Sequence, residues 1–214
     1  MEQVLAIKIG MTQGWTTTGR RLPLTTLKIE PTIIAKIDLE NDRMLVATGD
    51  RKASRVKKPL EGLMTKLGIK MSPKGVKELK FVLPHKQVGD TIKPSEVLAI
   101  GDLVTVQGVA RGLGFAGVVK RHGFAGGPRT HGQSDRERAP GAIGQRTTPG
   151  RVFRGMRMAG RAGGQTVSIL NLPIMSVNDE TGEIVVAGVV PGAKQSRVMI
   201  KKTGSQKKYE ELRA

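Results

Sequence analysis

Ten arginines and one lysine fall between Arg111 and Gly163, among 13 glycines and only two acids, Asp135 and Glu137, so that these 53 residues carry a net charge of +9. Elsewhere the preference is reversed, with 18 Lys against 7 Arg. A lysine ammonium is a compact, strongly hydrated charge suited to open surfaces. A guanidinium presents a planar five-donor fork that holds phosphate bidentately, stacks on bases and tolerates desolvation. Glycine, lacking Cβ, lets the backbone follow irregular paths and approach a ligand closely. Arginine set among glycine therefore points to close contact with the phosphates of a nucleic acid, RNA before DNA. The candidate contacts are Arg129, Arg138, Arg146, Arg151, Arg154, Arg157 and Arg161 as phosphate or base-stacking groups, with His131 and Gln145 among them and Lys120 and Arg121 anchoring the mouth of the segment.

Other chemistries find less support. Residues 112–117, GLGFAG, satisfy the G-x-G-x-x-G fingerprint, and Asp135 falls near where a ribose-binding acid would stand. A dinucleotide site also needs a second hydrophobic parallel strand about thirty residues on; there the chain reads GGPRTHGQSDRERAPGAIG. Gly163-Gly164-Gln165 matches a motif of peptide-release factors, but three residues in a Gly-rich chain carry almost no information. His85, His122 and His131 are too scattered for a metal centre, and the lack of Cys removes thiolate catalysis and every Cys-based zinc site. Ser134 has no neighbouring base. Asp135 and Glu137 alternate with Arg136 and Arg138, which predicts local charge pairing rather than acid–base catalysis. The expectation is a binding protein with no catalytic residue, metal, cofactor or small-molecule substrate.

The elements that must position the arginines read as strands. The first fifty residues alternate apolar and polar positions in VLAIKIG, PLTTLKIE, TIIAKIDLE and RMLVATGD, as short antiparallel strands do. A Lys-rich insertion follows over about 55–80, where Leu60, Leu63, Met64 and Leu67 recur at helical spacing after Pro59. Strand patterns return in KFVLP, around Thr91 to Lys93, in GDLVTVQGVA, and after the Arg/Gly segment in QTVSILNLPIMSV, EIVVAGVV and RVMIKK. Asn178 to Gly182 supply a hairpin turn. The Lys-rich tail KKTGSQKKYEELRA is expected to be mobile at its end.

The pattern predicts one β-barrel formed by 1–110 and 164–214 and carrying the 111–163 segment as a long insertion. Gly112 and Gly114 would let the chain leave the barrel, and Ala116 to His122 would form a short helix. With few core candidates, the insertion is expected to order against its partner rather than alone. Phe115, Phe124, Ile143, Val152, Phe153, Met156 and Met158 are residues a plain spacer would not need; of these, Phe115, Phe124, Phe153, Met156 and Met158 would pack against RNA grooves or the barrel rim, or else form a small satellite core. A net charge of +18 and a pI near 10.6 call for a polyanion in any case. No segment approaches the ~20 apolar residues of a membrane span, and no targeting pattern precedes the first strand. The chain reads as intracellular, without a membrane partner.

The segment THGQSDRERAPGAIGQRTTPGRVFRGMRMAGRAGGQTVSILNL resembles the large-subunit ribosomal protein L-three family in its bacterial or organellar form. IKIGMTQ resembles the family's start, GFAGVVKRHGF its exit into a central extension, and VVPGAKQSRVMIK its final strands. The resemblance implies a six-stranded barrel akin to the second domain of translation elongation factors, a short helical insertion, and an extension, here about 121–163 with its inner reach around His131 to Arg154, that threads into ribosomal RNA toward the peptidyl-transferase centre. It also implies an early assembly protein that is not an enzyme, with large-subunit ribosomal RNA and neighbouring ribosomal proteins as partners, in ribosomes of the cytoplasm or an organelle. Bacterial relatives often carry a methylated glutamine directly before Thr-Pro-Gly. Here that position is Thr147, and Gln145 stands at a different spacing from Pro149, so the modification is expected to be absent. An architectural nucleic-acid-binding protein outside the ribosome would share the charge; a DNA-binding one should offer a helix or β-ribbon sized for a groove, and none is read here. Limited proteolysis of the free protein should concentrate cleavage within 125–160; resistance there would mean a second folded domain.

Overall fold

The computed structural model describes residues 2–80, 83, 85–205 and 212–213. Period-two burial governs most of it. In β6 (Asp102–Val109), Val104 and Val106 are fully buried while Leu103, Thr105 and Gln107 are half-buried, as in a strand with one face in a core. A similar alternation, interrupted in β2 and β9, runs through β1 (Gln3–Trp15), β2 (Arg21–Ile29), β9 (Thr166–Asn178), β10 (Glu183–Ala187) and β11 (Arg197–Ser205). These six strands close into an antiparallel barrel in the order β1-β11-β6-β9-β10-β2. Closure leaves no barrel edge to pair with another chain. Leu27, Ile174, Ile184 and Ile200 are fully buried within it. The buried Lys8 ends this apolar interior, its Nζ donating to the carbonyls of Val190 at 2.7 Å and Gly192 at 3.3 Å.

Of the first fifty residues only β1 and β2 enter the barrel. β3 (Thr32–Asp38) and β4 (Arg43–Asp50) pair as a hairpin, and β5 (Pro73–Leu79) takes the other edge of β4. The Lys-rich insertion therefore has one α-helix among the described residues, α1 (Lys58–Lys66), after a single 3-10 turn at Ala53–Arg55. Residues 73–79, expected inside that helical insertion, are a strand, because pairing with β4 buries Pro73 and Leu79 and completes the β4 ladder. In α1, Pro59 occupies the first turn and Met64 is buried, consistent with the pre-set φ of proline at a helix start. Of the strand expected at KFVLP, Phe81, Val82 and Pro84 lie outside the described residues, while Thr91 makes an isolated bridge to Ile33. The turn after β9 forms as read, with Asn178 Oδ1 accepting from the Glu180 amide at 2.9 Å and Gly182 at φ 70°. Of the expected mobile tail, 206–211 and 214 lie outside the described residues; Lys201–Ser205 continue β11, and Leu212 bridges Thr16. Among the described residues no helix is long and apolar enough to cross a membrane.

Two ion clusters tie these elements together. Lys202 on β11 donates to Asp102 at 2.9 Å and lies 3.5 Å from Glu2. The hydrogen bond and charge of Asp102 hold the Lys202 ammonium above its ordinary pKa against the opposing effect of burial. A raised lysine pKa means that this contribution is intact through neutral pH and is lost only as pH climbs through the raised value. The second cluster centres on Glu30, whose carboxylate meets Lys74 of β5 and Arg197 of β11, the latter at 3.5 Å. Gly49 makes room for it, since a Cβ there would lie 2.7 Å from Glu30 Oε1. Glu30→Ala should lower stability by about 1–3 kcal/mol, seen as a reduced denaturant midpoint with an unchanged slope.

Candidate nucleic-acid interface

Between Val109, which ends β6, and Thr166, which begins β9, residues Ala110–Gln165 form a compact unit of their own. Its neck is an antiparallel ribbon. The Ala110 amide donates to the Gln165 carbonyl at 2.8 Å, the Gly164 amide to Ala110 at 3.1 Å, and the Leu113 amide to Ala162 at 2.9 Å. The ribbon continues as β7 (Gly114–Ala116) against β8 (Gly160–Ala162). Gly163 has φ 69°, and a Cβ there would sit 2.1 Å from the Arg111 carbonyl oxygen. Only glycine serves at such a crossing. The neck thus accounts for the two motifs that first suggested other chemistry: GLGFAG is one side of the ribbon and Gly163-Gly164-Gln165 the other. A dinucleotide fingerprint would need a parallel strand, and β7 is antiparallel to its partner.

α2 (Val118–His122) follows the ribbon. The expected helix began at Ala116, but that residue is buried as the last of β7, and Gly117 caps the helix instead. Gly123 ends it at φ 74°, its amide donating to Val119 at 3.0 Å. From α2, Arg121 Nη1 donates to the Met158 carbonyl at 2.7 Å, and His122 Nε2 lies 3.0 Å from the same oxygen. Gly160 leaves space for that guanidinium, since its Cβ would fall 2.6 Å from Arg121 Nη1. Arg121 therefore holds the returning chain, a role that sequence reading missed because its partner is a backbone carbonyl 37 residues away.

Further along, Gly126 and Gly127 lie against the backbone of Arg136 and Glu137. The Gly127 amide donates to Glu137 at 2.9 Å, and a Cβ on Gly126 would be 2.0 Å from the Glu137 carbonyl oxygen. This approach brings Arg129 Nε to Glu137 Oε1 at 2.7 Å. The acids were expected to pair with Arg136 and Arg138 beside them. Asp135 does pair with its neighbour Arg136, loosely at 4.0 Å with both side chains exposed, whereas Glu137 is taken by Arg129. For Glu137 the backbone contact, not proximity in sequence, decides the pairing.

Lys120, Arg121, Arg129, His131, Arg138, Gln145, Arg146, Arg151, Arg154, Arg157 and Arg161 are all exposed. No ion pair or hydrogen bond to the described residues engages the guanidinium groups of Arg138, Arg146, Arg151, Arg154, Arg157 or Arg161. His131 adopts φ 60°, and Thr148–Pro149 is cis. Thr147 is exposed, as is Gln145. The apolar side chains form no satellite core: Phe115 is 80% exposed and Phe153 50%, with Ile143, Val152, Met156 and Met158 also exposed and Phe124 half-buried. The unit is held by backbone contacts and displays its cations and apolar groups together. Among the described residues no group of three or more His, Asp or Glu side chains could hold a metal ion.

A profile of the family described as ribosomal protein L3 matches residues 25–188, a span that takes in the whole neck and its unit. The chain belongs to the ribosomal protein L3 family. It is 39% identical over 210 residues to the large ribosomal subunit protein uL3 of Acetivibrio thermocellus, covering 96% of this chain and 98% of that one. The uL3 of Chlorobium phaeobacteroides is 42% identical over 204 residues, covering 94% and 98% of the two chains. That of Stutzerimonas stutzeri is 39% identical over 202 residues, covering 92% and 95%. Membership of the ribosomal protein L3 family agrees with the six-stranded barrel.

Proposed function

We propose that this chain is a structural constituent of the large ribosomal subunit that binds ribosomal RNA through the 111–163 segment, with the barrel as its base. The observation that carries this reading is the set of six exposed guanidinium groups with no ion pair or hydrogen bond among the described residues, on an irregular backbone with close glycine contacts. Folded RNA supplies phosphates at the density such a set requires. Phosphate contacts position the protein, and shape rather than base edges gives most of the specificity on structured RNA. Exposed Lys120 adds further charge, and Arg129, though paired with Glu137, keeps an exposed guanidinium.

On this reading the segment enters the subunit during early assembly and extends toward the peptidyl-transferase centre, with neighbouring ribosomal proteins as further partners in a cytoplasmic or organellar ribosome. It shapes and supports RNA and performs no catalysis; Thr147 carries no glutamine to methylate. If about seven phosphates are neutralised, log K for large-subunit RNA should fall with log salt at a slope of about −5, from the single-strand coefficient. A near-flat salt dependence in a filter-binding titration would contradict the proposal.

A further inference from the structure

Arg136 is left without a role by the reading above. Its neighbour Asp135 is 4.0 Å away, and Glu137 is engaged by Arg129. Yet Arg136 lines a cavity of about 500 Å³, together with Phe124, Ala125, Ala139 and Pro140. That volume lies within the range of ligand clefts, about 300–1,000 Å³. The walls are set by backbone: Gly126 and Gly127 run so close to Arg136 and Glu137 that neither position admits a Cβ without displacement. The 2.9 Å hydrogen bond from Gly127 to Glu137 and the 2.7 Å Arg129–Glu137 ion pair fasten the two segments. The His122 ring stands 6.0 Å from that of Phe124, centre to centre.

An aromatic ring, two methyl groups and a proline ring make a poor site for a phosphate, whose charge needs several donors. They suit a flat heterocycle with apolar faces and a polar edge. Arg136 also lines the cavity, and a guanidinium can stack on such a face or bond its edge. RNA that is recognised in loops and bulges offers unpaired bases, splayed out and stacked on aromatic or guanidinium planes.

We infer that this cavity receives one unpaired RNA base, with Phe124 as the stacking surface and Arg136 as the planar cation that holds it. The inference rests on the reading of the segment as an RNA-binding unit and deepens it by naming a base subsite that is distinct from the exposed phosphate-binding arginines.

Trp15 is the chain's only tryptophan, so a full-length Trp15→Phe, Phe124→Trp double variant carries one fluorophore, placed in the cavity. Deproteinised large-subunit RNA should quench its emission, with the midpoint seen by filter binding. Arg136→Lys keeps the charge but not the plane. It should weaken RNA binding about tenfold, as loss of one stacked base does, without changing the salt slope; Phe124→Ala should weaken it similarly. If the wild-type chain binds RNA while Arg136→Lys binds equally well, or if the Phe124→Trp emission is unmoved by bound RNA, the base subsite is overturned and the RNA-binding reading stands. If AMP or UMP alone saturates the quench at micromolar concentration, the cavity is a free-nucleotide site and the inference fails. Failure of the wild-type chain to bind the RNA would overturn both readings together.

Discussion

Like charges that cannot be neutralised within the chain constrain everything else in this protein. The 111–163 segment holds eleven basic residues against Asp135 and Glu137, and the two acids engage only Arg129 and, at 4.0 Å, Arg136. Gathering the remaining cations into a compact core would require desolvating them without partners, at a cost of several kcal/mol each. They stay on the surface instead, and the apolar side chains among them stay exposed as well. A polyanion would resolve both problems, since phosphates would neutralise the guanidinium groups and bases would cover the apolar ones.

A segment denied a hydrophobic core must hold its shape by other means, and this one uses its backbone. Gly163 passes the Arg111 carbonyl, Gly126 passes the Glu137 carbonyl, and Gly160 leaves room for the Arg121 guanidinium on its way to Met158. At Gly163 and Gly126 the close approach is main chain to main chain, while at Gly160 it makes room for a side chain that bonds a main-chain carbonyl. The barrel has the opposite character. Closed ladders and buried Val, Ile and Leu secure it, and its few buried charges, Lys8, Glu30 and Asp102, are met by carbonyls, cations or amides.

Strand alternation made most of the barrel legible in the sequence, because period-two burial survives in β6, β10 and β11 with little interruption. Two features escaped. The split of β3 and β4 into a sheet with β5 depends on which edges pair, and alternation carries no information about pairing. β5 itself was masked by a run of lysines, whose side chains are exposed in a strand as readily as in a helix. In the 111–163 segment, composition revealed which residue types stand out. Which arginines serve structure and which remain free was settled by contacts to carbonyls and by the Gly127–Glu137 approach, neither of which leaves a local sequence signal. Arg121 thereby takes on a structural contact to the Met158 carbonyl.

Amide hydrogen exchange over the full chain, with and without large-subunit RNA, tests most directly whether the charge constraint places the RNA contact on 111–163. The account predicts that RNA raises protection sharply within that segment, above all at residues 128–158, while the barrel amides of β6, β9 and β11 change little. Protection gained chiefly in the barrel or the β3-β4-β5 sheet, with 128–158 exchanging as fast as in the free protein, would contradict it.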